Sequence, residues 1–469
     1  MKPLILKIRK EKFINQINPW KREFTPVQLL VLSYIFIIFI GAFLLKQPFA
    51  SLSGEPTQFV DALFTSTSAV SVTGLVVKNT GTHWSSIGQM IILALIQIGG
   101  LGYITIYTFF LLVFQHKVTL KQGVLLREAL NNPGIREMAK LARHIFYFVV
   151  VFEGVGAFIL FLRFFNPIRW SSYSSDNFIH SIWLGIFHSI SAFNNSGFSL
   201  FKTSFMDYVT DPIVNLTITS LIILGGLGFY VLSDIYEVKF AAKRAMLKYH
   251  TKIVIATTIF LLLLGTLIVF ALEYDNPLTL KPFNFSGKLM ASYFQSVTAR
   301  TAGFNTINTG LLSGATMLFI IALMFIGASP GGTAGGIKTT TATSLFYYVK
   351  SMLSRKNTVE IGYRRIPYDV VNKAFTIFVI SITFIFFMTV LINAIEPFHF
   401  DTVLFEVTSA YATAGLSAGI TTELSSLSKV LISFTMFAGR VGILSIILIF
   451  SMQLRRGKVL LPVEELTVG

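Results

Sequence analysis

Four short segments of the sequence each run into a glycine followed by Leu or Phe: Val72-Thr73-Gly74-Leu75, Asn195-Ser196-Gly197-Phe198, Thr301-Ala302-Gly303-Phe304 and Thr413-Ala414-Gly415-Leu416. The chemistry open to them is dehydration of a cation. A permeating ion must exchange hydration water for protein oxygens, and rings of backbone carbonyls supply these. Glycine lets several such backbones approach closely, because it has no Cβ to clash. The four glycines stand 123, 106 and 112 residues apart. One such phrase reads as a turn or helix cap. Four in register read as four walls of one pore, with Val72, Thr73, Gly74, Asn195, Ser196, Gly197, Thr301, Ala302, Gly303, Thr413, Ala414 and Gly415 as the ion-binding strands.

Elements to position these strands lie on either side. Apolar stretches near 26–46, 87–114, 145–165, 213–236, 253–272, 315–349, 369–395 and 427–452 are long enough to span a bilayer, which takes roughly 20 residues of helix. Between the members of each pair lie shorter stretches, 59–70, 178–192, 286–299 and 401–411, each with Phe and Ser/Thr and each leading into a glycine phrase. Too short to cross, they read as re-entrant half-helices, which are tolerated only where protein or a wet cavity surrounds the irregular backbone that follows. Each half-helix would aim its carbonyl end, the negative end of its dipole, at the pore. The fold class is therefore an all-α polytopic membrane protein. It has four tandem repeats of span, half-helix, filter loop and span around one pseudo-fourfold pore.

Composition agrees. The chain is 53% hydrophobic and 13% charged, against about 25% charged in soluble domains, and its mean hydropathy is +0.69. The net charge of +16 does not imply nucleic acid, because 26 of the 38 Lys and Arg fall in five segments, 2–22, 117–143, 239–252, 350–365 and 455–458. That is the positive-inside pattern, with some attraction to anionic lipid. It places both termini in the cytoplasm. The basic N-terminal lead lacks the cleavage site of a signal peptide. With no cysteine, disulfides, thiolate metal sites and Cys nucleophiles are excluded. No phosphate-binding loop, nucleophile elbow or paired metal-ligand motif is present, so the chain does not read as an enzyme.

A second glycine pattern recurs downstream, at Gly99-Gly100-Leu101-Gly102, Gly225-Gly226-Leu227-Gly228, Gly327 to Gly332 and Gly439-Arg440-Val441-Gly442, offset from the filter glycines by 25, 28, 24 and 24 residues. For the first two copies ordinary small-residue helix packing is the expectation. The third differs: Gly327, Ala328, Ser329, Pro330, Gly331, Gly332, Thr333, Ala334, Gly335, Gly336 and Lys338 interrupt an apolar stretch with five glycines and a proline. Proline removes a helix donor and glycine disfavours helix, so the helix must break there. Arg440 sits mid-span, where an arginine needs a polar partner.

These residues give the chain a specific resemblance. Ser71-Val72-Thr73-Gly74-Leu75, Thr298-Ala299-Arg300-Thr301-Ala302-Gly303-Phe304 and Gly331-Gly332-Thr333-Ala334-Gly335-Gly336-Ile337-Lys338-Thr339 are similar to the Trk/Ktr/HKT superfamily of potassium transporters. The likeness runs from about residue 26 onward. The roughly 25 residues before the first repeat favour the Ktr membrane subunit over Trk-type subunits, which carry extra N-terminal helices. The resemblance implies potassium as substrate, no covalently bound cofactor, an intramembrane gate loop over 327–338 contacted by Arg440, and room for a sodium dependence. It also implies a homodimer in the cell membrane on a cytosolic ring of nucleotide-binding regulatory subunits. In plant relatives, Ser in the first filter copy accompanies sodium preference, so Gly74 leans toward potassium.

The domain reading is 1–25, a basic cytoplasmic segment; 26–116, repeat 1; 117–237, linker and repeat 2; 238–350, repeat 3 with its broken second span; 351–453, repeat 4; and 454–469, a cytoplasmic tail. Arg300 is expected to anchor its loop through carboxylates or carbonyls. Glu153 either pairs with a basic residue or lines a vestibule, with a structural role favoured. Asp61 and Glu406, on half-helices near the mouth, either concentrate cations or cap and pair. His180 and His188 lack a metal-ligand pattern.

Overall fold

The computed structural model describes residues 26–102, 135–165, 177–240, 246–443 and 447. The basic segments at 2–22 and 455–458, most of the 117–143 linker, the C-terminal tail and the far halves of the expected spans 87–114 and 427–452 lie outside the described residues.

One order of elements recurs four times. A helix is followed by a short helix, a loop with a glycine at positive φ, and another helix. The first set is α1 (Pro26–Lys46), α2 (Phe59–Ser71), a turn of helix α3 (Thr80–His83) and α4 (Ser86–Leu101). The second is α5 (Ile135–Phe165), α6 (Phe178–Phe193), α7 (Pro212–Leu227) and α8 (Phe229–Phe240). The third is α9 (Tyr249–Glu273), α10 (Phe285–Thr298), α11 (Gly314–Phe325) and α12 (Thr339–Leu353). A small antiparallel hairpin, β1 (Val359–Ile361) with β2 (Arg364–Ile366), leads to α13 (Tyr368–Ile395), α14 (Phe400–Ala412) and α15 (Ser426–Val441).

Stretches Lys140–Phe165, Tyr249–Glu273 and Tyr368–Ile395 are long and apolar enough to cross a bilayer, as is the pair α7 and α8, which bends by 97° between its members. Their outer faces carry exposed Phe158, Leu263, Leu267, Phe386 and Phe387. A soluble protein would hide so large an apolar face, whereas lipid accepts it. The short helices α2, α6, α10 and α14 are instead largely buried. Each is sheathed by its neighbours, which satisfies the rule that irregular backbone at membrane depth must be covered.

A common staple joins the top of each first helix to the start of the second. Glu273 at the end of α9 accepts from Ser313 N and Oγ at 2.9 and 2.7 Å, and Glu396 after α13 accepts from Ser425 N at 2.9 Å. Ser313 and Ser425 are themselves the N-caps of α11 and α15, so each acid holds the residue that satisfies the free amides of a helix start. In the second set the charges are exchanged: Arg163 of α5 pairs at 2.6 Å with Asp211, the N-cap of α7. In the first set Ser85 caps α4 and donates to the Phe49 carbonyl at 2.6 Å.

The second helices end earlier than expected from apolar run length. α4, α7 and α15 stop at Leu101, Leu227 and Val441, and the next residues, Gly102, Gly228 and Gly442, have φ of 70°, 92° and 90°. Such left-handed glycines end helices without a Cβ penalty. The break expected in the third copy is thus matched in the other three by a helix end at a glycine of positive φ.

Candidate functional site

The four short helices deliver four loops to one place. A Cβ built on Gly74 would enter the Ser196 carbonyl and come within 3.1 Å of Gly197 Cα; one on Gly197 would lie 2.7 Å from Gly303 Cα. One on Gly303 would lie 3.2 Å from Gly415 Cα, and one on Gly415 would enter the Thr73 carbonyl. The contacts run from the first loop to the second, third, fourth and back to the first, so the glycines form a closed ring. All four also line one cavity of about 260 Å³.

Each loop has the same backbone. The residue two before the glycine is left-handed although it is not glycine: Val72 at φ 58°, Asn195 at 59°, Thr301 at 71° and Thr413 at 52°; the glycines follow at 93°, 70°, 79° and 78°. Three of the four non-glycines are β-branched, and such conformations cost about 1–3 kcal/mol each. They persist because the preceding helix takes up the intervening amide. Thr73 N donates to Ser68 O at 2.8 Å, Ser196 N to Ser191 O at 2.8 Å, Ala302 N to Thr298 O at 3.0 Å and Ala414 N to Ser409 O at 2.7 Å. Hydroxyls add further ties. Gly74 N donates to Ser68 Oγ at 3.0 Å, Ser191 Oγ donates to Phe198 O at 2.7 Å, and Thr298 donates to Phe304 O.

The amides are therefore spent backwards, and the carbonyls are not. Of the twelve residues from Val72 to Gly74, Asn195 to Gly197, Thr301 to Gly303 and Thr413 to Gly415, none has a carbonyl that accepts a hydrogen bond from a described residue. Buried carbonyls without a donor are rare. Here they sit at the carbonyl ends of four helices, where the dipoles favour a cation. No group of His, Cys, Asp or Glu among the described residues is arranged to hold a metal ion, so backbone oxygen is the ligand on offer.

Residues 326–338 lie beside this ring. α11 ends at Phe325 and α12 begins at Thr339, so the helix is interrupted over the glycine-rich stretch. The loop is tied to other sets of elements. Ser329 N and Thr333 N donate to Gly226 O and Gly225 O at 3.0 and 3.3 Å, and Phe229 N donates to Gly331 O at 3.0 Å. A Cβ on Gly335 would strike Thr413 Oγ1, in the fourth ion-facing loop. Lys338 Nζ folds back onto Ala334 O at 2.6 Å. Arg440 donates from Nη1 to Thr333 O and from Nη2 to Gly99 O, with Gly100 O at 3.4 Å. One guanidinium thus joins the end of α15, the interrupting loop and the end of α4. A second cavity, of about 220 Å³, is lined by Gly331, Gly332, Lys338 and Arg440 and shares no residue with the first.

The downstream glycines serve close packing in the first, second and fourth sets. A Cβ on Gly99, Gly225 or Gly439 would enter the carbonyl of Val70, Phe193 or Tyr411, near the end of the preceding short helix.

Other polar residues take structural places. Asp61 is buried and pairs with Lys429 at 2.8 Å and, more loosely, with Lys78 at 3.7 Å, which joins α2 to α15. Glu406 is buried against the loop after the fourth glycine, accepting from Ser417 Oγ, from Thr421 Oγ1 at 3.1 Å and from Ala418 N at 3.2 Å. Neither is free to gather cations. Arg300 reaches Gly327 O at 3.4 Å, a carbonyl. His188 is buried between the Leu184 carbonyl at 2.8 Å and Ser199 Oγ at 3.0 Å. Outside the spans, His83 meets Thr57 Oγ1 at 3.1 Å, and burial, with Lys78 adding to it, holds its pKa below the ordinary 6.5.

The family model described as "TrkH: Cation transport protein" matches residues 22–460. The chain belongs to this family. It is 40% identical to the Ktr system potassium uptake protein B of Bacillus subtilis, over 95% of this chain and 96% of that protein. It is 35% identical to the potassium/sodium uptake protein NtpJ of Enterococcus hirae, over 96% and 98%. Its fold is similar to the crystal structure of the potassium transporter TrkH from Vibrio parahaemolyticus, with a TM-score of 0.71 at 19% identity, over 92% of this chain and 86% of that one. The protein is a multi-pass membrane transporter rather than an enzyme, and resembles Ktr membrane proteins along nearly its whole length.

Proposed function

We propose that this chain is the pore subunit of a potassium uptake system. Potassium passes along the axis of the glycine ring, exchanging water for carbonyl oxygens of the four loops. The observation that carries the reading is the set of twelve carbonyls that have no donor among the described residues, in loops that close into one ring. The repeats 26–116, 117–237, 238–350 and 351–453 are then four walls around a pseudo-fourfold pore. With one glycine per loop, the filter offers fewer well-formed sites than a longer glycine filter, and discrimination against sodium is looser.

Residues 327–338 are the gate in this reading, held shut by Arg440 and Lys338. Its ties to Gly225 and Gly226, and the contact of Arg440 with its Thr333 carbonyl, hold the loop at the edge of the second cavity. The membrane potential drives uptake, since 100 mV is worth about 2.3 kcal/mol per charge. The subunit works as a homodimer in the cell membrane, with both termini in the cytoplasm, on a cytosolic nucleotide-binding ring. The relation to Ktr system proteins supports that partner. The relation to a potassium/sodium uptake protein supports sodium as a second permeant or coupling ion. Unitary flux of the purified chain in liposomes tests the proposal. Channel-like potassium rates are expected, and slow saturable turnover would replace the pore with a sodium- or proton-coupled alternating-access carrier.

A further inference from the structure

The second glycine loop is braced from behind by three side chains on three helices. Asn194 ends α6 and immediately precedes Asn195. Its Nδ2 lies 3.0 Å from Glu153 Oε1, 3.0 Å from Gln97 Oε1 and 2.9 Å from the Ile190 carbonyl. Gln97 of α4 donates from Nε2 to the same Glu153 oxygen at 3.2 Å. Glu153, midway along α5, has no basic partner among the described residues. Its backbone carbonyl also receives Ser189 Oγ of α6 at 2.7 Å. A carboxyl within a span is costly and usually marks function. Among the described residues this one is held by two amides, one on the residue next to an ion-facing loop.

The brace extends further. The Asn194 side-chain oxygen is buried without a donor and sits where a Cβ on Gly100 would stand. Gly99 and Gly100 carry the carbonyls that Arg440 holds. Asn194 and Arg440 thus meet at the end of α4, and Arg440 continues to the interrupting loop.

Among the described residues, the other loops lack this arrangement. The positions three before their glycines are Ser71, Arg300 and Ala412. Ser71 bonds within its own segment, to Thr67 O at 2.6 Å and Thr73 Oγ1 at 2.6 Å. Arg300 reaches a carbonyl of the interrupting loop, and Ala412 has no polar side chain. Among the described residues, only the second loop is positioned by an acid on a neighbouring helix.

We propose that Glu153 is a positioning residue for cation discrimination, acting through Asn194 on the second filter strand. The inference rests on the reading of the four loops as the cation pathway. The carboxyl accepts both amides with one oxygen, which fixes the Asn194 side chain and hence where Asn195, Ser196 and Gly197 stand in the ring.

The test measures potassium and sodium flux in liposomes for wild type, Glu153→Gln, Glu153→Leu, Asn194→Leu and the double Leu variant. In Glu153→Gln the amide oxygen still accepts from both partners, so the potassium/sodium ratio stays within about twofold of wild type. Loss of two acceptor bonds in Glu153→Leu lowers the ratio about tenfold. Asn194→Leu does the same, and the double variant falls no further, as expected for residues acting as one unit. Where Glu153→Leu is not monodisperse, Gln97→Leu, which removes one arm, is read instead, with a fall of about threefold. An unchanged ratio in Glu153→Leu or in its Gln97→Leu substitute, a Gln variant as poor as the Leu variant, or additive losses would overturn the inference while leaving the pore reading intact. A wild-type chain with no potassium preference would overturn the pore reading itself and this inference with it.

Discussion

Replacing Arg440 by alanine probes the proposed barrier most sharply. The guanidinium makes two close contacts, to the Thr333 and Gly99 carbonyls, and a longer one to Gly100. A hydrogen bond involving a charged group contributes about 1.5–3 kcal/mol. Gly100, the chain neighbours Gly332 and Ala334 of Thr333, and Arg440 itself line a cavity of about 220 Å³, so water recovers part of the loss. A net weakening of about 2 kcal/mol is a reasonable magnitude, which shifts the closed-to-open ratio about thirtyfold. The loop retains its ties to Gly225 and Gly226, so it loosens rather than unfolds. The ion-facing loops keep their own helix ties, so selectivity is retained. Potassium flux through Arg440→Ala in liposomes is expected to rise by about that factor with the potassium/sodium ratio little changed. Deleting the loop gives the same direction. Wild-type flux in both variants would refute the assignment of the barrier. A collapse of selectivity would show that Arg440 supports the filter instead.

Further outcomes follow from single contacts. Lys429→Met leaves buried Asp61 with only the looser Lys78 contact, which costs about 3 kcal/mol. The melting temperature in detergent drops by several degrees, and pairing it with Asp61→Asn restores most of the loss. His83, whose folded pKa lies below its ordinary 6.5, binds fewer protons folded than unfolded. Its contribution to stability is therefore present above 6.5 and lost as pH falls below that value. His83→Gln makes the melting temperature less sensitive to pH below 6.5, and an unchanged pH slope would remove His83 from the account. Lys338→Ala loses a bond at 2.6 Å to Ala334 and a longer one at 3.5 Å to Gly335, both within the loop, and raises flux less than Arg440→Ala does.

The features that were legible in the sequence are local ones. The short helices lie at Phe59–Ser71, Phe178–Phe193, Phe285–Thr298 and Phe400–Ala412, close to the Ser/Thr-rich stretches that announced them. The interruption between Phe325 and Thr339 is written in Pro330 and its glycines. What the sequence did not disclose depends on partners far away in the chain. Asp61 and Lys429 are separated by 368 positions, and Arg440 and Gly99 by 341. No periodicity encodes such pairs, so Asp61 read equally well as a cation collector. The helix ends at Gly102, Gly228 and Gly442 were missed for a different reason. Apolar composition continues past each of them, and only the left-handed backbone reveals the stop. Glu153 stands out in the sequence as an acid in a span, but its amide partners, Gln97 and Asn194, are common residues without a spacing signal.

The measurement closest to the central claim is potassium and sodium flux through the purified chain in liposomes, with and without Gly74→Ser. Gly74 has φ of 93°, and a Cβ there would enter the Ser196 carbonyl of the next loop. A side chain must therefore displace two ion-facing strands at once. Potassium-preferring flux in wild type, with the preference weakened in the variant, is the result this account predicts. Flux with the same potassium/sodium ratio in both would place the cation pathway somewhere other than the glycine ring.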